Sequence, residues 1–273
     1  MIKLLLPCAG RAVRIGGVIK ELLPLGVQTT RPGSDCLPAP VLAWAFRVGL
    51  SAGAESAIVV TSSSKAPVLM DAISLLDLPV PVCYLHQQEP TGLAAAVRSA
   101  EPFVSNEDTV LLVMGDTVMW PYDSARSAVK EVRSGTVACA TLYRVTTPEL
   151  FGVAVFDRYN RLERFDDKPK VPHSHWVWTA VAFRRPFFSY LERGMRDSGD
   201  SFANALNGAI RDKCLEARFC DKGFYWDVGT YEGYISALSS LAGCSLSEPI
   251  LTIPSDRHLS PLKRVEKPTG TGS

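Results

Sequence analysis

Strand-like and helix-like segments alternate four times in the first half of the chain, and this alternation limits the fold more than any other feature. Ile2–Pro7 is a continuous apolar run with one lysine inside, as in a strand covered on both faces. Residues 40–52 (PVLAWAFRVGLSA) carry apolar side chains at helical spacing and open on a proline, which suits a first helical turn. A β-branched run at Ile58–Thr61 follows, then a helix over 66–76 and a strand over 80–87. An alanine-rich helix over 92–101, a buried strand over 109–116 and a helix over 122–133 complete the series. Strands separated by helices pair in parallel with helices on both faces, so the pattern predicts an α/β, doubly wound, mostly parallel sheet.

The second half changes character. Residues 136–145, 151–157, 161–167 and 176–185 read as strands with fewer helices between them, which predicts an antiparallel or mixed extension of the sheet. Helices are expected over 200–213 and 229–242, around a short strand at 216–221. One domain over 1–242 is expected, with halves at 1–135 and 136–242. Residues 243–273 read as a short, partly disordered C-terminal extension that closes on TGTGS.

The chain has 273 residues, 47% hydrophobic and 21% charged, which is ordinary for a protein with a substantial core. Its formal net charge of +1 provides no global field for nucleic acid or acidic membrane, so an anion site must be local. No stretch approaches the roughly twenty apolar residues of a membrane span, and the N-terminal apolar run is too short for a signal peptide. The seven cysteines are odd in number, widely spaced and without a CxxC pair. They read as reduced thiols of a cytoplasmic protein rather than as zinc ligands or disulfides.

Ligands of open parallel sheets bind beyond the carboxyl ends of the strands, and four segments fall at such ends. After the first strand come Ala9 and Gly10, with Arg11, Arg14 and Lys20 beside them. Small residues let backbone N–H groups approach an anion, and the cations either neutralise it or are merely solvated. The loop is neither GxxxxGK[ST] nor GxGxxG. In QQEPTGLAAA, Gln87 offers one donor and one acceptor to a base edge and Gly92 permits close approach of a planar group. An ordinary strand-to-helix turn is the alternative. Asp116, in LLVMGDTV, is either a Mg²⁺ ligand beside phosphates or the cap of a following helix. Asp227, among the aromatics of FYWDVGTYEGY, needs a partner for a costly charge. A metal would serve, and a helix cap made by Asp227 or Thr230 is the alternative. His173 and His175 lack a ligand pattern and read as a surface turn, while Trp176 and Trp178 alternate along a strand and read as packing, with room for one to line a pocket.

In this order the segments resemble the sugar-1-phosphate nucleotidyltransferases, the group that includes glucose-1-phosphate thymidylyltransferases. The family loop GGxGTRLxPLTxxxPKxLLP is matched by AGRAVRIGGVIKELLPL, with Gly10, Arg14, Lys20 and then Glu21-Leu22-Leu23-Pro24 in place. The base-reading pattern QxxPxGLA is matched at Gln87, Pro90, Gly92, Leu93 and Ala94. Gly115-Asp116, Phe151-Gly152-Val153, Asp167-Lys168-Pro169 and YWDVGT match the metal, sugar and second metal motifs. Ala9, Ala12 and Val13 depart from Gly, Gly and Thr, Asp167 is one methylene shorter than the family glutamate, and Ala180 and Ala182 replace a glycine and an aromatic.

The resemblance implies a Rossmann-like fold of the nucleotide-diphospho-sugar transferase type. It implies an enzyme that condenses a nucleoside triphosphate, dTTP or UTP, with a sugar-1-phosphate, releasing pyrophosphate. Mg²⁺ would be held by Asp116 and Asp227, with Arg14, Lys20 and Lys168 as catalytic cations. Ala9, Gly10, Arg14, Lys20, Gln87, Gly92 and Asp116 would bind the nucleotide, and Gly152, Asp167 and Lys168 the sugar. No nucleic acid or membrane partner is implied, and a homodimer is the favoured assembly. The altered loop leaves a second reading, a catalytically impaired nucleotide-sugar-binding regulatory relative. A glycosyltransferase is disfavoured because no DxD occurs in the chain.

Overall fold

The computed structural model describes residues 1–10, 16–28, 37–89, 91–198 and 201–242. The described chain runs β1 (Ile2–Pro7), β2 (Pro24–Gln28), β3 (Leu37–Pro40), α1 (Val41–Ser51), β4 (Ser56–Thr61), α2 (Ala66–Ser74) and β5 (Val82–His86). It continues through α3 (Leu93–Arg98), β6 (Thr109–Val113), β7 (Thr117–Trp120), α4 (Arg126–Arg133), β8 (Ala138–Arg144), β9 (Gly152–Phe156) and β10 (Leu162–Asp167). The last elements are β11 (Trp176–Arg184), α5 (Phe187–Ser198), α6 (Phe202–Arg211), β12 (Leu215–Cys220), β13 (Phe224–Asp227) and α7 (Tyr231–Ala242).

The main sheet carries the parallel neighbours β5-β4-β1-β6. Strand β11 lies antiparallel between β6 and β8, and β12 runs parallel to β8 at the far edge. The β9–β10 hairpin joins β11 at Val177–Val153. The expected mostly parallel sheet with a mixed extension is therefore what forms. Both of its faces are covered. Leu4, Leu6, Val59, Leu111 and Val113 face α1, α2 and α4, while Leu5, Val60, Val110 and Leu112 face α3, α5 and α6. That double cover explains why β1 and β6 are apolar at successive positions rather than alternately.

Three elements depart from the sequence reading. Asp116 is followed by a strand, β7, rather than by a helix, so it caps none. The helix read over 122–133 begins only at Arg126. Helix α5 (FFSYLERGMRDS) is unanticipated, since its aromatic start resembles a continuation of β11. Its ring contacts, Phe183 to Phe187 and to Phe188, fold it back onto that strand. Ala180 and Ala182 are fully buried in the core beside Val113 and Leu111.

Candidate active site

Strand order reverses direction around β1, whose neighbours are β4 on one side and β6 on the other. The crevice beyond the carboxyl ends of such strands is where an open α/β sheet takes its ligand. Ala9 is buried and Gly10 exposed at the end of β1. Gly115 lets the end of β6 close on it, because a Cβ there would lie 2.6 Å from Cys8 Sγ. Arg14 and Pro90 lie outside the described residues.

Lys20 opens a single 3-10 turn, Lys20–Leu22, and its ammonium pairs with Asp116 Oδ2. Burial pulls the Lys20 pKa down, but attraction and hydrogen bonding to Asp116, helped by Glu21 and Asp227, outweigh burial and hold it above its ordinary value. Asp227 arrives from a distant part of the chain through a two-stranded ribbon. Strand β13 pairs antiparallel with β7, placing Asp227 opposite Thr117, and Val228 N donates to Asp116 O at 3.1 Å. Asp227 Oδ1 is held by Gly229 N at 2.7 Å. Thr230 Oγ1 accepts from Gly233 N at 3.1 Å and caps α7, so the cap is threonine and not Asp227.

Gly229 measures the space these groups share. A Cβ built on it would stand 2.7 Å from Asp227 Oδ1, 3.1 Å from Asp116 Oδ2 and 3.4 Å from Lys20 Nζ. The two carboxylate oxygens can be no farther apart than the sum of their distances to that point. Two carboxylates, one of them paired to Lys20, around a gap kept open by a glycine form a hard oxygen site suited to a small divalent cation.

Beneath the gap lies a second ion pair. Glu21, 1% exposed, accepts from Lys65 Nζ at both carboxylate oxygens, 2.9 and 3.0 Å. Lys65 Nζ also donates to Cys8 O at 3.0 Å. Burial pushes the Glu21 carboxyl up, only partly countered by Lys65. Sequence reading passed over Lys65, although a signal existed. A lysine directly before a helix start sits where the helix dipole disfavours cations, so it requires an acid.

Gly152, Asp167 and Lys168 come together on the β9–β10 hairpin, where Asp167 pairs with Gly152 and Lys168 N donates to Phe151 O at 2.9 Å. Trp178 packs its indole on Gly152, where a Cβ would meet Nε1 at 2.1 Å. The link to the acids is aromatic. Phe151 meets Tyr225 edge-on at 5.5 Å, and Tyr225 lies on the same face of β13 as Asp227. Burial raises the Tyr225 phenol well above its ordinary pKa, with Asp227 and Asp116 adding. Gln87 is buried after β5, its N–H bonded to Thr61 O at 2.8 Å, and Gly92 precedes α3 at φ 145°, a conformation that favours glycine.

The family model for nucleotidyl transferases matches residues 15–243. The chain belongs to the nucleotidyl transferase family. Among similar nucleotidyltransferases, a glucose-1-phosphate thymidylyltransferase of Neisseria meningitidis is 28% identical over 231 residues, 82% of this chain and 75% of that protein. A mannose-1-phosphate guanyltransferase of Debaryomyces hansenii is 25% identical over 161 residues, 58% of this chain and 44% of that protein. The nucleotidyltransferase fold is shared with a UTP-bound UGPase from Acinetobacter baumannii, at TM-score 0.70 and 20% identity, over 89% of this chain and 94% of that one. The resemblance read from the motifs to the sugar-1-phosphate nucleotidyltransferases is borne out.

Proposed function

We propose that this protein joins a nucleoside triphosphate to a sugar-1-phosphate, giving a nucleoside-diphosphate sugar and pyrophosphate. One observation carries the reading: Lys20, Asp116 and Asp227, from three separate parts of the chain, meet around one small gap at the carboxyl edge of the parallel strands. In-line attack by a sugar phosphate oxygen on the α-phosphorus brings two polyanions together, so the protein's task is positioning and charge neutralisation.

Asp116 and Asp227 would hold Mg²⁺ there, leaving its remaining positions to phosphate and water, as that ion prefers. When bound, it would neutralise charge developing on the α-phosphate. Lys20 neutralises Asp116 in the free protein and turns, with Arg14, to the β,γ-phosphates when a triphosphate enters. Lys168 draws in the sugar phosphate, and Gly152 and Asp167 contact the sugar. Ala9 and Gly10 let the backbone approach the nucleotide, while Gln87 and Gly92 read the base. No general base is needed, because a phosphate monoester already presents an anionic oxygen at neutral pH. The relatives' names include thymidylyl and guanyl transfer. The Gln87 amide can present one donor and one acceptor together to a base edge, which leans toward the thymine or uracil of dTTP or UTP.

The test is pyrophosphate release on incubation with Mg²⁺, each of the common nucleoside triphosphates and a panel of sugar-1-phosphates. Release that depends on both substrates is expected. Nucleotide binding without release from any pair would leave the non-catalytic regulatory reading in its place.

A further inference from the structure

We infer that Lys65 is a positioning residue for Lys20, acting through Glu21: it occupies both oxygens of a carboxylate that would otherwise capture the Lys20 ammonium. This inference rests on the proposed role of Lys20 at the triphosphate.

Lys20 and Glu21 are neighbours in one short turn; Glu21 is buried and Lys20 half-buried. Glu21 is the only acid in that turn, and a Cβ on Gly115, the residue before Asp116, would lie 3.5 Å from Glu21 Cγ. The Lys20 ammonium is therefore attracted by two carboxylates, Asp116 in contact and Glu21 through space, and such attraction strengthens where water is scarce. Lys20 nonetheless pairs with Asp116. The second cation explains the choice. Lys65 Nζ spends its three protons on Glu21 Oε1, Glu21 Oε2 and Cys8 O, at 2.9, 3.0 and 3.0 Å. An ammonium has three donors, so this geometry uses all of its capacity.

The clamp is anchored on three elements. Lys65 is the residue before α2, its N–H bonded to Ser62 O at 3.1 Å and its carbonyl accepting from Leu69 N at 3.0 Å. Cys8 lies at the end of β1, its N–H bonded to Val60 O at 2.7 Å. Through Lys65 the start of α2 and the end of β1 fix the turn that presents Lys20. With the Lys65 charge removed, Glu21 is a buried carboxylate with Lys20 in the same turn. Lys20 then divides between Glu21 and the ligand site, and the triphosphate loses a charge it would have met.

The experiment compares wild type, K65M, K65R and E21Q/K65M for binding of UTP and dTTP with Mg²⁺ by calorimetry, with circular dichroism confirming folded protein. K65M should bind the triphosphate about tenfold to a hundredfold more weakly, the loss of one charged contact. E21Q/K65M should recover that affinity, because the competing carboxylate is gone, and K65R should keep it. A purely structural Lys65 would lower the melting temperature of K65M and leave the affinity of the folded protein unchanged, which would overturn the inference. So would weak binding by folded E21Q/K65M or K65R, an arm that holds even where K65M does not fold. Crystals of K65M, or of K65Q, whose amide keeps one hydrogen bond to Glu21, separate this inference from the functional reading. Should wild type bind neither nucleotide, that reading fails, while Lys20 Nζ on Glu21 supports the clamp and Lys20 Nζ still on Asp116 removes it.

Discussion

Asp116 and Asp227 are joined through the main chain as well as across the gap, because Val228 N donates to Asp116 O at 3.1 Å where β13 runs beside β7. Asp227 ends a paired strand, and Asp116, in the turn between β6 and β7, is tied to it by that hydrogen bond, which restricts the motion of both carboxylates.

Asp116→Asn and Asp227→Asn are each expected to lower pyrophosphate formation by more than about a hundredfold, as removal of a preorganised charge at a reacting phosphoryl group does. Circular dichroism should be unchanged in both. EDTA should abolish wild-type activity and Mg²⁺ restore it. Wild-type rates in either variant would remove the metal assignment.

Gly229→Ala should cost about a hundredfold in activity, because its methyl would enter the gap 2.7 Å from Asp227 Oδ1 and 3.1 Å from Asp116 Oδ2. Gly115→Ala acts elsewhere, against Cys8 Sγ at 2.6 Å. It should cost about 1–3 kcal/mol of stability in urea unfolding, as overpacking does. Cys8→Ala in the same chain should return most of that loss, and a double-mutant cycle reads the coupling.

The scaffold was far more legible than the site. Ile2–Pro7 and Thr109–Val113 announce themselves because both faces of each strand are covered, so successive positions, Leu4–Leu6 and Val110–Val113, are apolar. The four-residue strands β7 and β13 escaped notice because they pair only with each other, and their residues read as helix start or aromatic loop. Lys20, Asp116 and Asp227 could be named from their types and from a family likeness, yet nothing in the sequence brings the third to the first two. The place of Lys65 before a helix start hints at an acid, but not at which one, because its partner is 44 positions away and only the fold joins them.

Acid should unfold the protein partly through Asp108. This buried carboxylate faces Lys3 Nζ at 3.0 Å, the N-terminal ammonium at 3.3 Å and Ser105 N at 2.8 Å. Burial raises its pKa, but the hydrogen bonds from Ser105 and Lys3 and the Lys3 charge outweigh burial and hold it well below 3.8. A depressed carboxyl stabilises the fold fully above its unfolded pKa, and that share is lost as pH falls below about 4. Asp108→Asn should lower stability near pH 7 by about 1.5–3 kcal/mol and flatten the acid limb of a stability-against-pH curve. An unchanged limb would remove Asp108 from the account.

Thiol labelling should divide the cysteines by burial. Cys83 is exposed, whereas Cys8 and Cys139 are buried. Burial pushes the Cys8 thiol well up, with Glu21 adding, and raises Cys139 to about 12. At pH 8, peptide mapping after brief alkylation should find Cys83 modified and the other two protected until denaturant is added. Fast modification of Cys8 in folded protein would contradict its placement under Gly115.

The ribbon of β7 and β13 also sets a schedule for biosynthesis. Asp116 leaves the ribosome with β6, ready to take its place at the sheet edge, while its counterpart is still untranslated. Lys20 and the parallel strands β1, β4, β5 and β6 are all synthesised before Phe224–Asp227 emerges to complete the pair. A chain ending just ahead of that tetrapeptide would carry Lys20 and Asp116 but leave β7 without its partner and the crevice half finished.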